Sequence, residues 1–338
     1  MKISVDGGGF CLPMYKRFGN YTFSLNLIEA LSRFDKTNSY YIYSFCSRPH
    51  DLILQNNCFY NNLKPKVMWM SARVSFEELI APKKVFLALN QAVPLVTPAR
   101  IIGFSHGLSF KLFPHYYKDS YNHMNGQMHT LMRRAKQVIV STERVRHEIG
   151  THYPKYAAKT IVLPFGIPFD LTEYTERRRE KYFMFVGMNH PIKNVKNLIS
   201  MFQKFIGTPE GKGYKLYLVG PFAGYKRSGK FISTFTKLKR EELRKMYQKA
   251  SGYVTAAHYE SFNLPALEAL SQHCPVVGMK DAIIPEMAPF AHIAADEEEF
   301  VETLKQVAGG KQKQVDYRKL GKIFSWESYA NTLVSLYS

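Results

Sequence analysis

Residues 258–270, which read HYESFNLPALEAL, decide how this chain is interpreted. The apolar run before them ends near Ala256 and is typical of a buried strand. Pro265 suits the first turn of a helix, because a missing N–H costs nothing there. A helix that begins where a parallel strand ends directs its free N–H groups towards an anion. The stretch therefore predicts a strand, a loop and a helix that together form an anion site.

Two carboxylates lie in this stretch, Glu260 on the loop and Glu268 about one turn into the helix. An ionised carboxylate accepts hydrogen bonds through two oxygens, so Glu268 can bind both hydroxyls of a ribose. Glu260 would lie closer to whatever is attached to the phosphates. Two Glu residues at this separation also occur by chance, and Glu268 taken alone would be interpreted as a solvent-exposed helix residue.

Short apolar runs alternate with segments of helical period along the whole chain. The strand-like runs are residues 3–5, 40–45, 101–104, 138–140, 161–163, 182–186, 215–219, 252–255 and 275–278. Helical period is clearest over 27–34, 198–206 and 243–250. Repeated strand, helix and strand units are typical of parallel sheets covered by helices on both faces. The sequence therefore predicts an α/β fold with two doubly wound domains.

The pattern breaks near the middle of the chain. Residues 164–168, PFGIP, have the composition of a turn, and the charged run ERRREK follows at 176–181. We predict a first domain over 1–166, a linker over 167–181 and a second domain over 182–324. Residues 325–338 are expected to form a helix that crosses back to the first domain. The three arginines at 177–179 are interpreted as a solvated face of the linker.

The chain of 338 residues carries a formal charge of +19, which attracts anions such as nucleotides, nucleic acid or acidic lipid headgroups. Its four cysteines are scattered without zinc spacing and are expected to be reduced thiols. No signal peptide and no apolar run of about 18 residues is visible. We expect a cytoplasmic protein, peripheral on the inner face of a membrane if it contacts an anionic surface.

The two Glu residues around a Phe-x-Leu-Pro turn resemble the signature of retaining glycosyltransferases of family 4, which have the GT-B fold. Further similar segments follow in the family's order: Gly19-Asn20-Tyr21, His106-Gly107-Leu108-Ser109-Phe110, Val186-Gly187, Pro191-Ile192-Lys193-Asn194, Pro285-Glu286 and Phe324-Ser325-Trp326. Because these segments span almost the whole chain in order, the resemblance implies two Rossmann-like domains that face a central cleft.

The resemblance also implies an activity and a set of roles. The chain would transfer a sugar from a nucleoside-diphosphate sugar to a hydroxyl of a glycan, a lipid-linked molecule or another acceptor, with retention of configuration. Lys193 would neutralise the diphosphate, and Glu268 would hold the ribose. Glu260 and His106 are the implied catalytic residues, and Glu260 would also bind the transferred sugar. The other implied donor-binding residues are Gly19, Gly187, Asn194, Ser261, Phe262, Asn263 and Leu264. No metal and no cofactor is implied, and no Asp-x-Asp motif is present.

Three departures from the family pattern leave alternatives open. Gly107 stands where the family usually has Asp, Asn263 where it has Gly, and no Arg precedes Lys193 closely. A nucleotide-sugar-binding protein with weak catalysis, or another GT-B enzyme such as an epimerase or a phosphorylase, therefore stays possible. The charge alone suggests a nucleic-acid-binding module, but no such motif is present, so no specific nucleic acid is expected as a partner.

Overall fold

The computed structural model describes residues 1–13, 17 and 19–338, without the side chains of residues 226–228. The chain divides into two compact units. The first unit comprises Met1–Gly166 and Phe324–Ser338, and the second comprises Ile167–Ile323. Each unit contains its own parallel sheet.

The first sheet has seven strands in the described part of the chain. They are β1 (Lys2–Asp6), β2 (Ser39–Ser44), β3 (Cys58–Asn62), β4 (Val85–Ala88), β5 (Arg100–Ser105), β6 (Gln137–Val140) and β7 (Thr160–Val162). Their order is β3-β2-β1-β4-β5-β6-β7, and every pair is parallel. The direction of winding reverses between β1 and β4. In doubly wound folds, a reversal of this kind opens a crevice at the carboxyl ends of the strands.

Five helices of the first unit connect these strands: α1 (Gly19–Phe34), α2 (Val74–Ile80), α3 (Ser109–Leu112), α4 (Tyr121–Arg134) and α5 (Glu143–His152). The longest of them, α1, buries Phe23, Leu27 and Leu31, which recur at helical spacing. The periodic apolar face therefore forms one side of the first core.

The second sheet has six strands in the described part of the chain: β8 (Glu180–Val186), β9 (Lys215–Val219), β10 (Ile232–Phe235), β11 (Ala250–Thr255), β12 (Val276–Met279) and β13 (His292–Ala294). Their order is β10-β9-β8-β11-β12-β13, so the winding reverses between β8 and β11. The helices are α6 (Val195–Ile206), α7 (Arg240–Lys249), α8 (Leu264–Ser271), α9 (Glu297–Ala308) and α10 (Tyr317–Ile323).

The last helix, α11 (Trp326–Ser335), belongs to the first unit and packs against α1. The Phe23 ring lies 6.0 Å from Trp326 and 6.3 Å from Tyr329, measured between ring centroids. A Cβ atom at Gly166 would lie 2.4 Å from Trp326, so the chain before the second unit passes directly against this helix. The C-terminal segment thus completes the core of the first unit.

The predicted fold class is confirmed, and the nine predicted strands all coincide with observed strands to within two residues. The strands that the sequence analysis missed are β3, β4, β10 and β13. Three of them lie at sheet edges, where burial on one side leaves mixed rather than continuous apolar sequence. Strand β4 is fully buried but only four residues long, too short for a periodic signal.

The expectation of reduced cysteines is wrong for one pair. Cys11 and Cys46 form a disulfide, with their Cα atoms 5.5 Å apart. They follow β1 and β2, which are neighbours in the sheet, so the loops at their carboxyl ends meet. Cys58 and Cys274 are buried thiols. The pairing of β1 with β2, rather than any cysteine spacing, brings the two sulfurs together.

The interpretation of the arginine run as a solvated face is also wrong for Arg179. Its guanidinium donates to the carbonyls of Tyr247, Gln248 and Ala250 at 2.8–3.1 Å. Nearby, the Tyr174 ring stacks on His273 with centroids 3.7 Å apart. The segment before β8 is therefore packed against the end of α7 and the residues that follow α8.

None of the helices formed by the described residues has the length and hydrophobicity needed to cross a bilayer.

Candidate functional site

The carboxyl ends of β8, β9 and β11 form one edge of the second sheet, and the predicted donor-binding residues of the second unit lie at or next to it. Gly187 follows β8, and its N–H donates to Val219 at 3.0 Å. Gly220 follows β9 with φ 139°, and a Cβ atom there would lie 2.1 Å from the Gly187 carbonyl oxygen. Two backbone segments approach so closely that only glycine fits at position 220.

Lys193 and Glu260 form an ion pair at this edge, with Nζ and Oε1 2.7 Å apart. Their side chains are 19% and 10% exposed, so water screens the pair only weakly. The His258 N–H donates to the Ile192 carbonyl at 2.9 Å and ties the two supporting turns together. The structure thus places a lysine and a glutamate from separate sequence motifs in direct contact.

Asn194 follows Lys193 and precedes helix α6. Its backbone adopts the left-handed conformation, with φ 51°, and its side chain makes no capping hydrogen bond to the helix. Asparagine is one of the few residues other than glycine that adopts this conformation readily. Asn194 thereby turns the chain from the Lys193 turn into the helix.

Asn263 explains the departure from the family's glycine at that position. Its φ is 65°, a conformation that favours Gly and, after Gly, Asn. Its side chain accepts from the Ala266 N–H at 3.2 Å and from the Tyr253 hydroxyl at 3.3 Å, and it donates to the Ala282 carbonyl at 2.8 Å. The side chain of Asn263 therefore caps α8 and fixes the loop.

The remaining predicted residues of this loop are Ser261, Phe262 and Leu264. Phe262 and Leu264 are buried, whereas Ser261 is partly exposed. The apolar side chains hold the start of α8 against the sheet, so their contribution to an anion site would come from backbone N–H groups.

Glu268 is 3% exposed, and both its oxygens have partners. Its Oε1 lies 2.9 Å from Nη1 of Arg240, and its Oε2 accepts from the Tyr247 hydroxyl at 3.0 Å. Arg240 also contacts Asp170, with Nε 2.6 Å from Oδ2 and Nη2 3.1 Å from Oδ1. The structure therefore places Glu268 at the inner end of a chain of charges that begins at Asp170.

The surroundings fix the protonation of the partners of Glu268. Burial would lower the pKa of Arg240, but the charges of Glu268 and Asp170 outweigh burial and raise it above its usual value. Burial and the Glu268 charge raise the pKa of the Tyr247 hydroxyl well above its usual value. Glu268 is thus held between a permanent cation and a neutral hydroxyl donor.

Sequence analysis missed Arg240, Tyr247 and Asp170 as neighbours of Glu268. Arg240 lies in the basic stretch 237–240, which is typical of an exposed helix end. Asp170 belongs to the predicted linker and precedes the second sheet. No spacing signal connects these positions, because only the docking of α7 beside α8 brings them together.

His106 and Gly19, the other predicted site residues, belong to the first unit. His106 follows β5, and its Nε2 lies 2.8 Å from the Leu89 carbonyl oxygen. Because a carbonyl only accepts, Nε2 carries the proton. Burial lowers the pKa of His106, with the Leu89 hydrogen bond acting in the opposite direction. The imidazole is therefore neutral near pH 7, with Nδ1 as its acceptor.

Gly107 and Gly19 differ in whether the local structure requires a glycine. Gly107 has φ 105°, where an Asp would be strained, so the local backbone accounts for the family's Asp being absent. Gly19 begins α1, and a Cβ atom there would have no neighbour within 4 Å among the residues that the structure describes. The described residues therefore give no steric reason for glycine at position 19.

Among the residues that the structure describes, no group of three or more His, Cys, Asp or Glu side chains is placed to hold a metal ion.

Comparisons with known proteins find a family model and several curated relatives. Residues 180–309 match a family model described as glycosyl transferases group 1. A probable sucrose-phosphate synthase of Thermosipho melanesiensis is 24% identical over 241 residues, covering 61% of this chain and 55% of the relative. The O-antigen chain mannosyltransferase B of Escherichia coli is 24% identical over 265 residues, covering 69% and 68%.

Solved structures show the same architecture over the whole chain. A sucrose-phosphate synthase from Thermosynechococcus elongatus superposes with a TM-score of 0.78 at 15% identity, covering 100% of this chain and 98% of that one. WaaG, a glycosyltransferase involved in lipopolysaccharide biosynthesis, superposes with a TM-score of 0.66 at 14% identity, covering 98% and 95%. These similarities establish the fold.

The two parallel sheets with flanking helices are those of GT-B glycosyltransferases, and the family model and the curated relatives both point to a glycosyltransferase. Residues 180–309, which carry the Lys193–Glu260 pair and Glu268, are the part of the chain that matches the model of glycosyl transferases group 1. The predicted fold is thereby confirmed, and the comparisons agree with the predicted class of enzyme. The chain matches only 55% of the length of the sucrose-phosphate synthase relative and 68% of the mannosyltransferase relative.

Proposed function

We propose that the chain transfers a hexosyl group from a nucleoside-diphosphate sugar to an acceptor hydroxyl with retention of configuration. The observation that carries this proposal is the Lys193–Glu260 ion pair, which lies on the same sheet edge as the start of α8 and Glu268. Sugar, diphosphate and ribose follow one another along a donor, and Glu260, Lys193 and Glu268 would bind these three groups in that order.

Lys193 supports departure of the diphosphate. A leaving diphosphate develops negative charge, which a fixed cation and helix N–H groups stabilise without rearrangement. In the protein alone, Glu260 balances the Lys193 charge at 2.7 Å. A bound diphosphate would take over Lys193, and Glu260 would then accept hydrogen bonds from hydroxyls of the sugar. The proposed sugar transfer needs no metal ion and no cofactor, because Lys193 supplies the positive charge that stabilises the diphosphate.

Retention is proposed to occur through attack on the face from which the diphosphate leaves. A double displacement needs a carboxylate nucleophile on the opposite face of the sugar. Glu260 is assigned to the sugar hydroxyls rather than to that role. Trapping of a covalent glycosyl group on Glu260 by a fluorinated donor would contradict this mechanism.

The donor can be identified by thermal shift with UDP, GDP, ADP and their hexose conjugates. Ligands that bind only the folded state raise the melting temperature. We expect one nucleotide series to raise the melting temperature.

We expect Lys193→Ala to lower kcat/KM by about 100-fold or more, since removing one charge-stabilising group from an active site has an effect of that size. Lys204→Ala is the matched control, because Lys204 is exposed on α6 and pairs with Glu297.

The alternatives give different results. Two of the curated relatives are named O-antigen chain mannosyltransferases, so mannose conjugates belong in the panel of donors. Nucleotide binding without transfer or hydrolysis would support a binding protein, and a changed sugar without an acceptor product would support an epimerase. A thermal shift with none of the nucleotides would contradict the donor site itself.

We also propose that the first unit contacts an anionic membrane from the cytoplasmic side, where a lipid-linked or glycan acceptor would be presented. An apolar patch on this unit supports the proposal, and its members are Val67, Met68, Phe76, Leu79, Ile80, Leu95 and Val96, each 48–77% exposed. Helix α2 and the loop after β4 form one surface, because the Val96 N–H donates to the Ser75 hydroxyl at 3.1 Å. Soluble surfaces rarely expose so many large apolar side chains together.

The charges around the apolar patch favour acidic lipid over a second copy of the chain. Lys64, Lys66 and Lys84 are exposed and lie within four residues of patch members in sequence, and Glu77 is paired with Arg73 at 3.0 Å. A two-fold contact through this patch would bring these lysines towards their own copies, which like charge opposes. Acidic headgroups would instead bind the lysines while the apolar side chains enter the interface.

Co-sedimentation with vesicles that contain phosphatidylglycerol tests the membrane proposal. We expect binding at low salt that is lost in the triple variant Phe76→Ser, Leu79→Ser, Ile80→Ser. The control is Ile293→Ser, an exposed apolar residue of the second unit. Unchanged binding of the triple variant, or binding equal on neutral phosphatidylcholine vesicles, would contradict the proposal. A shift from dimer to monomer in the triple variant without vesicles would assign the patch to self-association.

A further inference from the structure

Arg240 connects two parts of the second unit that the sequence does not relate. On one side it contacts the buried Glu268 carboxylate, with Nη1 and Oε1 2.9 Å apart. On the other side it forms a two-point contact with Asp170, which lies in the segment between the two sheets. We propose that Arg240 is a positioning residue for Glu268 and that Asp170, through Arg240, makes nucleotide affinity depend on the segment 167–171. The proposal rests on the ribose role of Glu268 proposed above.

Glu268 keeps capacity for a ligand while it is held in this way. A carboxylate has about four positions at which it can accept hydrogen bonds. Arg240 occupies one at Oε1 and the Tyr247 hydroxyl occupies one at Oε2. Among the contacts of the described residues, one position on each oxygen remains, which is what the two hydroxyls of a ribose need.

Arg240 is needed because the Glu268 side chain is only 5% exposed. A buried carboxylate that loses its cation becomes an uncompensated charge. Without the contact at Oε1, the Tyr247 hydroxyl at Oε2 is the partner left to orient the carboxylate. Arg240 thus holds the oxygens of Glu268 in the orientation that recognises a ribose, without touching the ribose itself.

The contacts from Asp170 to Arg240 and from Arg240 to Glu268 together form a bridge, and Asp170 holds Arg240 at its more exposed end. Both side chains are about 40% exposed, so this outer pair exchanges with water more readily than the inner one. The neighbouring residue, Leu171, is buried, and its carbonyl accepts from the Gln272 amide at 2.7 Å. Gln272 directly follows α8, and Glu268 lies within that helix. The segment 169–171 is therefore held beside α8 directly at Gln272 and, through Arg240 of α7, at Glu268.

The bridge therefore makes ribose recognition sensitive to the position of this segment. A displacement of Asp170 removes one of the two carboxylates that orient the guanidinium group of Arg240. The planar guanidinium is then held by Glu268 alone and can rotate away from its present orientation. Coupling between the segment and a bound nucleotide is reciprocal, so a bound nucleotide would in turn hold the segment in place.

The test compares a nucleoside diphosphate with its 2′,3′-dideoxy analogue by isothermal titration calorimetry, using whichever of UDP, GDP and ADP binds. The ratio of the two dissociation constants measures recognition of the ribose hydroxyls alone. We expect the wild type to prefer the ribose form by at least 10-fold. We expect Arg240→Gln to reduce this preference to within about 2-fold, and Asp170→Asn to reduce it partly.

Control variants distinguish a role of Arg240 in positioning Glu268 from a role in the stability of the fold. Lys245→Gln removes a charge from the exposed face of the same helix, where Lys245 pairs with Glu241, and should keep the full preference. Arg240→Lys keeps a cation and should retain part of it. The double variant Asp170→Asn, Arg240→Gln should be no worse than Arg240→Gln, since both changes act through one contact. Should Arg240→Gln fail to fold, Asp170→Asn and Arg240→Lys carry the test.

Glu268→Ala distinguishes the two proposals. Loss of the ribose preference in Glu268→Ala, with a full preference in Arg240→Gln, would overturn the role of Arg240 and leave the ribose site intact. An unchanged preference in Glu268→Ala would overturn the ribose site itself. A lower melting temperature in Arg240→Gln with an unchanged preference would show that the bridge only stabilises the fold.

Discussion

At the scale of single residues, burial decides how His106 behaves. Its Nε2 donates to the Leu89 carbonyl, and the Phe23 ring meets it edge-on at 5.1 Å between centroids. Burial lowers the pKa of the imidazole below its ordinary value. A neutral histidine in this position can orient a ligand or accept a hydrogen bond from it, and it gains a proton at a lower pH than an ordinary histidine does.

The shifted pKa of His106 predicts how stability depends on pH. In the unfolded chain His106 takes up a proton near its ordinary pKa of about 6.5, whereas in the folded protein it does so only at lower pH. The unfolded state therefore binds more protons below that pH, and stability falls as the pH is lowered. We expect His106→Gln to reduce the loss of melting temperature between pH 7 and pH 5. An equal loss in wild type and variant would contradict this assignment.

At the scale of elements, close approaches of backbone build the edge of the second sheet. The turns after β8 and β9 meet at Gly220, and the left-handed residues Asn194 and Asn263 direct the chain into α6 and α8. These positions have φ between 51° and 139°. The placement of Lys193, Glu260 and Glu268 depends on these turns as much as on the side chains themselves.

Gly220→Ala is predicted to disrupt this edge. The added Cβ would lie 2.1 Å from the Gly187 carbonyl oxygen, on a backbone with φ 139°. One of the two turns would have to move, so we expect a loss of at least about 2 kcal/mol of unfolding free energy, measured with urea. Gly321→Ala is the matched control in the same unit, because its Cβ would have no neighbour within 4 Å among the described residues. Equal stability of the two variants would contradict the close approach.

At the scale of the whole molecule, the chain returns to the first unit after completing the second. Trp326, Tyr329 and Leu333 of α11 are buried in the first unit, and the Trp326 ring stacks parallel to Phe165. The two tryptophans, Trp69 and Trp326, both belong to the first unit. Tryptophan fluorescence therefore reports the unfolding of that unit alone.

Trp326→Ala is predicted to destabilise the first unit selectively. Removing a buried Trp costs about 3–5 kcal/mol, because the side chain leaves a cavity as well as losing its burial. We expect the urea transition seen by the fluorescence of Trp69 to move to lower concentration. Far-UV circular dichroism reports the helices and strands of both units, so its transition should separate into an earlier step that coincides with the fluorescence and a later step of the second unit that stays in place. A shift of the whole circular dichroism transition together with the fluorescence would show that the two units unfold together.

The sequence by itself determined the strands with two buried faces, the helices with periodic apolar faces, and the strand, loop and helix that carry Glu260 and Glu268. These features are local, because burial on both faces or along one stripe leaves a pattern within a few residues. The order of the motifs also indicated the class of protein. The roles assigned to His106 and the donor-binding residues stay predictions.

Only the tertiary structure decided which distant residues meet. Lys193 contacts Glu260, Arg240 bridges Glu268 to Asp170, Cys11 pairs with Cys46, and the edge strands join their sheets. Each of these contacts depends on which strands are neighbours and on how a helix docks beside the next one. No spacing within the sequence encodes that information, because strand order in a parallel sheet is set by the packing of the whole unit.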